Sequence, residues 1–172
     1  TYYNLGDLNQ AIEYYKIALK INPQFAKAYC NLGIVFREIS EFDTALESYQ
    51  TALQINPNYT EVYNNIGILY YDMRQFGLSI VNYKKAISLA PDHIDPWINL
   101  SFSQLVSGNF KEGWINYERR RNNSAYNTER PYTYPFWLGQ TLTNKTILIT
   151  GEQGIGDEVM FASCIPDLIC QK

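Results

Sequence analysis

Three prolines, Pro23, Pro57 and Pro91, stand 34 residues apart, and five further positions keep the same step. Ala18, Ala52 and Ala86 form one series, and Tyr15, Tyr49, Tyr83 and Tyr117 another. Tyr29, Tyr63 and Trp97 are in register, as are Gly33, Gly67 and Ser101, and the small residues Ala11, Ala45, Ser79 and Gly113. A period of this length restricts the fold severely. One such unit cannot shield its own apolar side, so neighbouring units must stack and bury a continuous core between them.

Each period divides into two amphipathic helices. In AKAYCNLGIVFREIS the residues Tyr29, Leu32 and Phe36 share one face, and in EFDTALESYQTALQINP so do Ala45, Tyr49, Ala52 and Leu53, both at helical spacing. Gly33 and Ala45 are small enough to let the two helices approach, and Tyr29 and Tyr49 fill the space around them. Asn22-Pro23, Asn56-Pro57 and Ala90-Pro91 end the second helix of each pair, because proline disfavours helical geometry in the residue before it.

The order Tyr29-Leu32-Gly33-Phe36-Ala45-Tyr49-Ala52-Pro57, echoed by Tyr63-Ile66-Gly67-Tyr70-Ser79-Tyr83-Ala86-Pro91, resembles the tetratricopeptide repeat. The resemblance implies an all-α, right-handed superhelix of antiparallel helix pairs over residues 1–121. It comprises a partial repeat (1–25), repeats 26–59 and 60–93, and a degenerate repeat (94–121) in which Ser101 and Gly113 replace the usual glycine and alanine. It also implies that the first helix of each pair lines a concave groove for a peptide or protein partner. The residues placed there are Lys27, Cys30, Asn31, Ile34, Arg37 and Glu38; then Glu61, Asn64, Asn65, Ile68, Tyr71 and Asp72; then Asp95, Ile98, Asn99, Phe102, Leu105 and Val106. Asn31, Asn65 and Asn99 occupy one repeat position. Carboxamides both donate and accept, so such a row can hold an extended backbone without reading its side chains. The row is similar to the asparagine ladder of O-GlcNAc transferases; the plainer alternative is a set of amides that meet water.

Composition narrows the partners. A net charge of −3 and a pI near 5.2 argue against nucleic acid, which needs a clustered basic surface. Arg119-Arg120-Arg121 is the one basic cluster, read as a solvated helix end favoured by the helix dipole, with a phosphate site as the alternative. Cys30, Cys164 and Cys170 have no metal-ligand spacing, and a scattered odd set fits a reducing, cytoplasmic setting. His93 stands in a turn without a second ligand nearby, so neither a metal nor another cofactor is expected. No apolar run approaches the ~20 residues that span a bilayer.

Past Arg121 the periodicity stops. Residues 122–145 form an aromatic-rich linker with Tyr132, Tyr134, Phe136 and Trp137, expected to pack down rather than hang free. Residues 146–150, TILIT, suit a buried parallel strand, GEQGIG a turn, and 157–170 a helix. The turn lacks the Gly-Lys-Ser/Thr of a nucleotide loop, and Val159 stands where a dinucleotide fingerprint needs its third glycine. By spacing alone it is a tight turn with Asp157 as helix cap.

From Trp114-Ile-Asn-Tyr117-Glu118-Arg119 through Pro135-Phe-Trp137-Leu-Gly139 to GEQGIGDEVMFASCIPDL, the chain resembles bacterial proteins in which these repeats lead into a glycosyltransferase-like domain related to heptosyltransferases. That resemblance implies a first strand–turn–helix of such a domain over 146–172. Asp157 would be the general base, and Gly154 and Gly156 would let an acceptor sugar or phosphate approach the backbone. The nucleotide-sugar site would lie in a further domain beyond Lys172, so no transfer is expected of this stretch alone. A stand-alone adaptor whose last 27 residues cap the solenoid is the rival expectation.

Overall fold

A computed structural model describes residues 7–122, which lie within the first of two compact units, residues 1–123. The linker, the expected strand, Gly154, Gly156 and Asp157 fall outside the described residues. The described elements, in order, are α1 (Leu8–Ile21), α2 (Ala26–Glu38), α3 (Phe42–Ile55), α4 (Thr60–Asp72), α5 (Phe76–Leu89), α6 (Ile94–Val106) and α7 (Phe110–Tyr117). A 3-10 turn, Glu118–Asn122, follows α7. Helices α2/α3, α4/α5 and α6/α7 form three antiparallel pairs, and α1 is the second helix of the partial repeat. The result is the all-α solenoid that the period demands.

The stops between repeats follow from local chemistry. Asn22 and Asn56 leave the helix with φ of −133° and −132°, as the following prolines require. Their Oδ1 atoms then accept from the N–H groups of Gln24 and Asn58, at 3.1 and 3.2 Å, tightening each turn. Ala90 has no such side chain and ends α5 by backbone geometry alone, with φ −143°.

The turns inside each pair repeat a different device. Ser40, Arg74 and Gly108 all have left-handed backbones, with φ of 64°, 57° and 81°. In each, two backbone bonds close the helix end: Glu41 N–H to Phe36 O (2.8 Å) and Ser40 N–H to Arg37 O (2.9 Å) in the first case. The same pair joins Gln75 to Tyr70 and Arg74 to Tyr71, then Asn109 to Gln104 and Gly108 to Leu105. This is the Schellman arrangement, which reverses the chain and satisfies the last carbonyls.

The tyrosine stripe of the second helices is the core. Tyr49 is 0% and Tyr83 2% exposed. Each ring lies flat on a glycine of the partner helix: a Cβ added at Gly33 or Gly67 would stand 2.6 Å from Cδ1 of Tyr49 or Tyr83. Glycine is needed here for space, not for backbone freedom. Around Tyr49 pack Ala45, Ala52, Val62, Ile66 and Leu69, so the second repeat's core continues into the third.

Repeat four departs from this plan. Ser101 stands in the glycine's place and its hydroxyl donates to Ile98 O at 2.6 Å. Tyr117, in register with Tyr49 and Tyr83, is instead half-buried, its ring against Phe102 (5.7 Å) and Trp114 (5.8 Å). The physical reason is the Ser101 side chain, which fills the floor on which the ring would lie. Leu105 comes close to Gly113 instead; a Cβ there would stand 2.8 Å from Leu105 Cγ. Buried hydrogen bonds join Ser79 to Ser103 (2.8 Å) and Asn116 Nδ2 to Gln104 Oε1 (2.8 Å).

Candidate functional site

The first helices α2, α4 and α6 lie side by side, and the amides predicted to line them help to link them. Asn99 Nδ2 donates to Asn64 Oδ1 at 3.0 Å, and Asn65 Nδ2 to Cys30 Sγ at 3.5 Å. Both links join residues 35 apart, one more than the period, because each residue meets the position before its own in the preceding repeat. Asn65 is only 9% exposed and Asn31 and Asn99 are half-buried. The row expected to hold a peptide backbone is therefore partly committed to holding the repeats together.

Two expected groove residues prove to be core. Cys30 is fully buried against Val62, Ile66 and Leu69, and Ile98 is buried likewise. Their position points into the seam with the neighbouring repeat, where apolar contact is available. Burial, with a further contribution from Glu61, pushes the Cys30 thiol up to about 11. At the equivalent position Asn64 is half-buried and receives the Asn99 bond.

The remaining predicted residues fall into rows. Ile34, Ile68 and Phe102 share one repeat position and form an apolar stripe, half-buried at the first two and 42% exposed at Phe102. Lys27, Glu61 and Asp95, all exposed, occupy the helix N-terminal edge. Glu38, Asp72 and Val106, also exposed, occupy the opposite edge. Arg37 and Tyr71 sit one position inward of them, whereas Leu105, expected in the same row, turns to Gly113 of α7. The Arg37 guanidinium is held by Glu38 at 2.7 Å and lies 3.8 Å from Asp72. Partial burial raises the Asp72 carboxyl above its ordinary range, and the Arg37 charge offsets part of that. Tyr71 packs edge-on against Phe76, with centroids 5.4 Å apart.

Sequence reasoning missed a second periodic device on the outer side. Tyr63 Oη donates to Pro57 O (3.1 Å) and Trp97 Nε1 to Pro91 O (2.9 Å), tying each large aromatic to the turn before it. Over those same rings lie cations 34 residues apart: Lys85 at 5.9 Å from the Tyr63 centroid and Arg119 at 3.8 Å from that of Trp97. The spacing from Lys85 to Arg119 was the available signal. Arg119 is thus stacked on an indole, and Arg120 lies over Tyr117 at 4.1 Å and pairs with Glu118 at 3.3 Å. His93 sits in an exposed turn, 3.9 Å from Asp95. Among the described residues no three His, Cys, Asp or Glu side chains form a metal-sized group, and no helix is long and apolar enough to cross a membrane.

Known proteins carry the same pattern. Residues 1–40 and 35–73 match the family described as TPR repeat, and residues 60–93 match the tetratricopeptide repeat. The chain is a tetratricopeptide-repeat protein. The crystal structure of MamA is similar to it at 27% identity, with a TM-score of 0.63 over 69% of each chain. MamA from Desulfovibrio magneticus RS-1 superimposes with a TM-score of 0.61 at 24% identity, over 70% of this chain and 71% of that one, and so shares the fold. Protein FlbA of Caulobacter vibrioides is 43% identical over 67 residues, which are 38% of this tetratricopeptide-repeat chain and 11% of that protein. The chain thus spans about a tenth of the length of that relative. A repeat array of this family is a protein-interaction scaffold, and its first helices supply the candidate surface.

Proposed function

We propose that the chain binds a peptide segment of a protein partner along the first helices of its repeats. The observation that carries this reading is the apolar stripe Ile34–Ile68–Phe102, laid across three neighbouring helices and edged by Lys27, Glu61 and Asp95 on one side and by Glu38, Asp72 and Val106 on the other. Phe102 is an exposed aromatic with no structural need to face water, the kind of anchor that supplies most of a peptide's binding energy. The amides Asn31, Asn64 and Asn99, with Lys27, Arg37 and Tyr71, offer backbone and side-chain hydrogen bonds beside it. For a peptide selected on the whole chain, Phe102→Ala is expected to weaken binding at least tenfold while the melting temperature stays within a few degrees. Undiminished affinity in that variant refutes the groove.

The likeness of residues 114–168 to the junction of glycosyltransferase-like proteins supports a second, wider reading. The array is then the N-terminal arm of such a protein, with Asp157 as base and Gly154 and Gly156 at the acceptor, and a nucleotide sugar bound by a later domain. This rests on sequence resemblance alone. It requires further coding sequence of alternating strands and helices beyond Lys172, and sugar transfer that disappears in Asp157→Asn of the longer protein. A stop codon directly after Lys172 would refute it.

A further inference from the structure

The first helices of repeats three and four are acidic, and in repeat three the second helix is basic. Helices α4 and α6 carry Glu61, Asp72 and Asp95 and no lysine or arginine. Helix α5, behind them, carries Lys84 and Lys85 and no carboxylate. In repeat two the face is balanced, since Lys27 is present and Arg37 lies between Glu38 and Asp72. The half of the groove that exposes Phe102 and Val106 is therefore also its acidic half. Low-dielectric walls beside like charges favour a guest of opposite sign.

We infer that the groove over α4 and α6 takes a linear, basic segment in which lysine or arginine flanks a pair of apolar side chains. The inference rests on the peptide-binding reading above and deepens it. Neighbouring packed helices stand roughly 8–10 Å apart, and an extended chain advances about 3.3–3.6 Å per residue. Apolar side chains about three residues apart thus reach Ile68 and Phe102 together. Cations beside them fall toward Glu61 and Asp95 on one edge, while Asp72 on the other already faces Arg37. Acidic or neutral segments meet the same stripe without this attraction.

The test pans a display library of random 12-residue peptides against the full 172-residue chain, then measures Kd for the enriched peptides by fluorescence anisotropy. Enrichment of lysine or arginine around two apolar residues is expected, with binding weakened at least tenfold in Glu61→Lys/Asp95→Lys and also weakened in Phe102→Ala. Should the reversed variant lose its helical circular dichroism, the neutral Glu61→Gln/Asp95→Asn serves in its place, with a loss of threefold or more. Enriched peptides that are acidic or neutral, yet depend on Phe102, overturn the basic specificity and leave the groove standing. Peptides indifferent to Phe102→Ala, or no enrichment at all, overturn both.

Discussion

In repeats two and three a tyrosine lies on a glycine; in repeat four the same tyrosine position faces a serine, and the ring has moved out to Phe102 and Trp114. The rest of the fourth repeat changes with it. Where Leu69 fills the third repeat, Ser103 stands, and where Tyr70 packs, Gln104 bonds to Asn116. One architecture is thus held in two ways, by ring-on-backbone packing and by buried hydrogen bonds. The first gains from apolar area and dispersion; the second gains little net, because each bond replaces one to water. The comparison teaches that the period fixes where helices lie, while the chemistry at each register position fixes how firmly.

The largest expected consequence is a difference between equivalent tyrosines. Tyr83→Ala empties a fully buried site and should cost about 3–5 kcal/mol in urea unfolding, whereas Tyr117→Ala should cost about 1 kcal/mol. Equal losses would break the comparison. The buried thiol of repeat two gives the next effect. With its folded pKa raised from 9.0 to about 11, Cys30 favours the folded state fully below pH 9, and that contribution is lost as pH rises toward 11. The loss is about 2–3 kcal/mol, at 1.36 kcal/mol per pH unit. Cys30→Ala should flatten the slope of stability against pH between 9 and 10, and an unchanged slope would assign it elsewhere; the fourth repeat has Ile98 at this position.

The polar core of repeat four should behave as a unit. Gln104→Leu alone leaves the Asn116 amide without its buried acceptor and should cost about 1–3 kcal/mol, while Gln104→Leu/Asn116→Leu should recover most of it. A double variant as weak as the single would show that shape, not bonding, governs the site. The smallest effect concerns the left-handed turns. Arg74→Gly should raise stability by about 0.5–1 kcal/mol, since a side chain at positive φ is strained, and Gly108→Ala should lower it by a similar amount. No change in either melting curve would mean that the turns are held by packing alone.

Much of this is legible in the sequence alone. Gly33 under Tyr49 and the proline stops follow from the 34-residue step, because both depend on residue type at fixed register. The left-handed turns did not, since Ser40 and Arg74 occupy positions where only Gly108 carries the usual signature. Nor did the amide links, whose 35-residue offset depends on how adjacent helices are staggered. Groove and seam also differ by a single helical position, which is why helical spacing alone does not separate Cys30 and Ile98 from the groove. Tyr117 departs from its series for a simpler reason: its partner, not itself, has changed.

The Asn64–Asn99 bond joins two helices that also form the proposed bed for a guest. A strut across the floor of a channel sets its gauge. A visitor thick enough to spread the helices must first break that strut, so the array would sort its visitors by girth before any side chain is inspected.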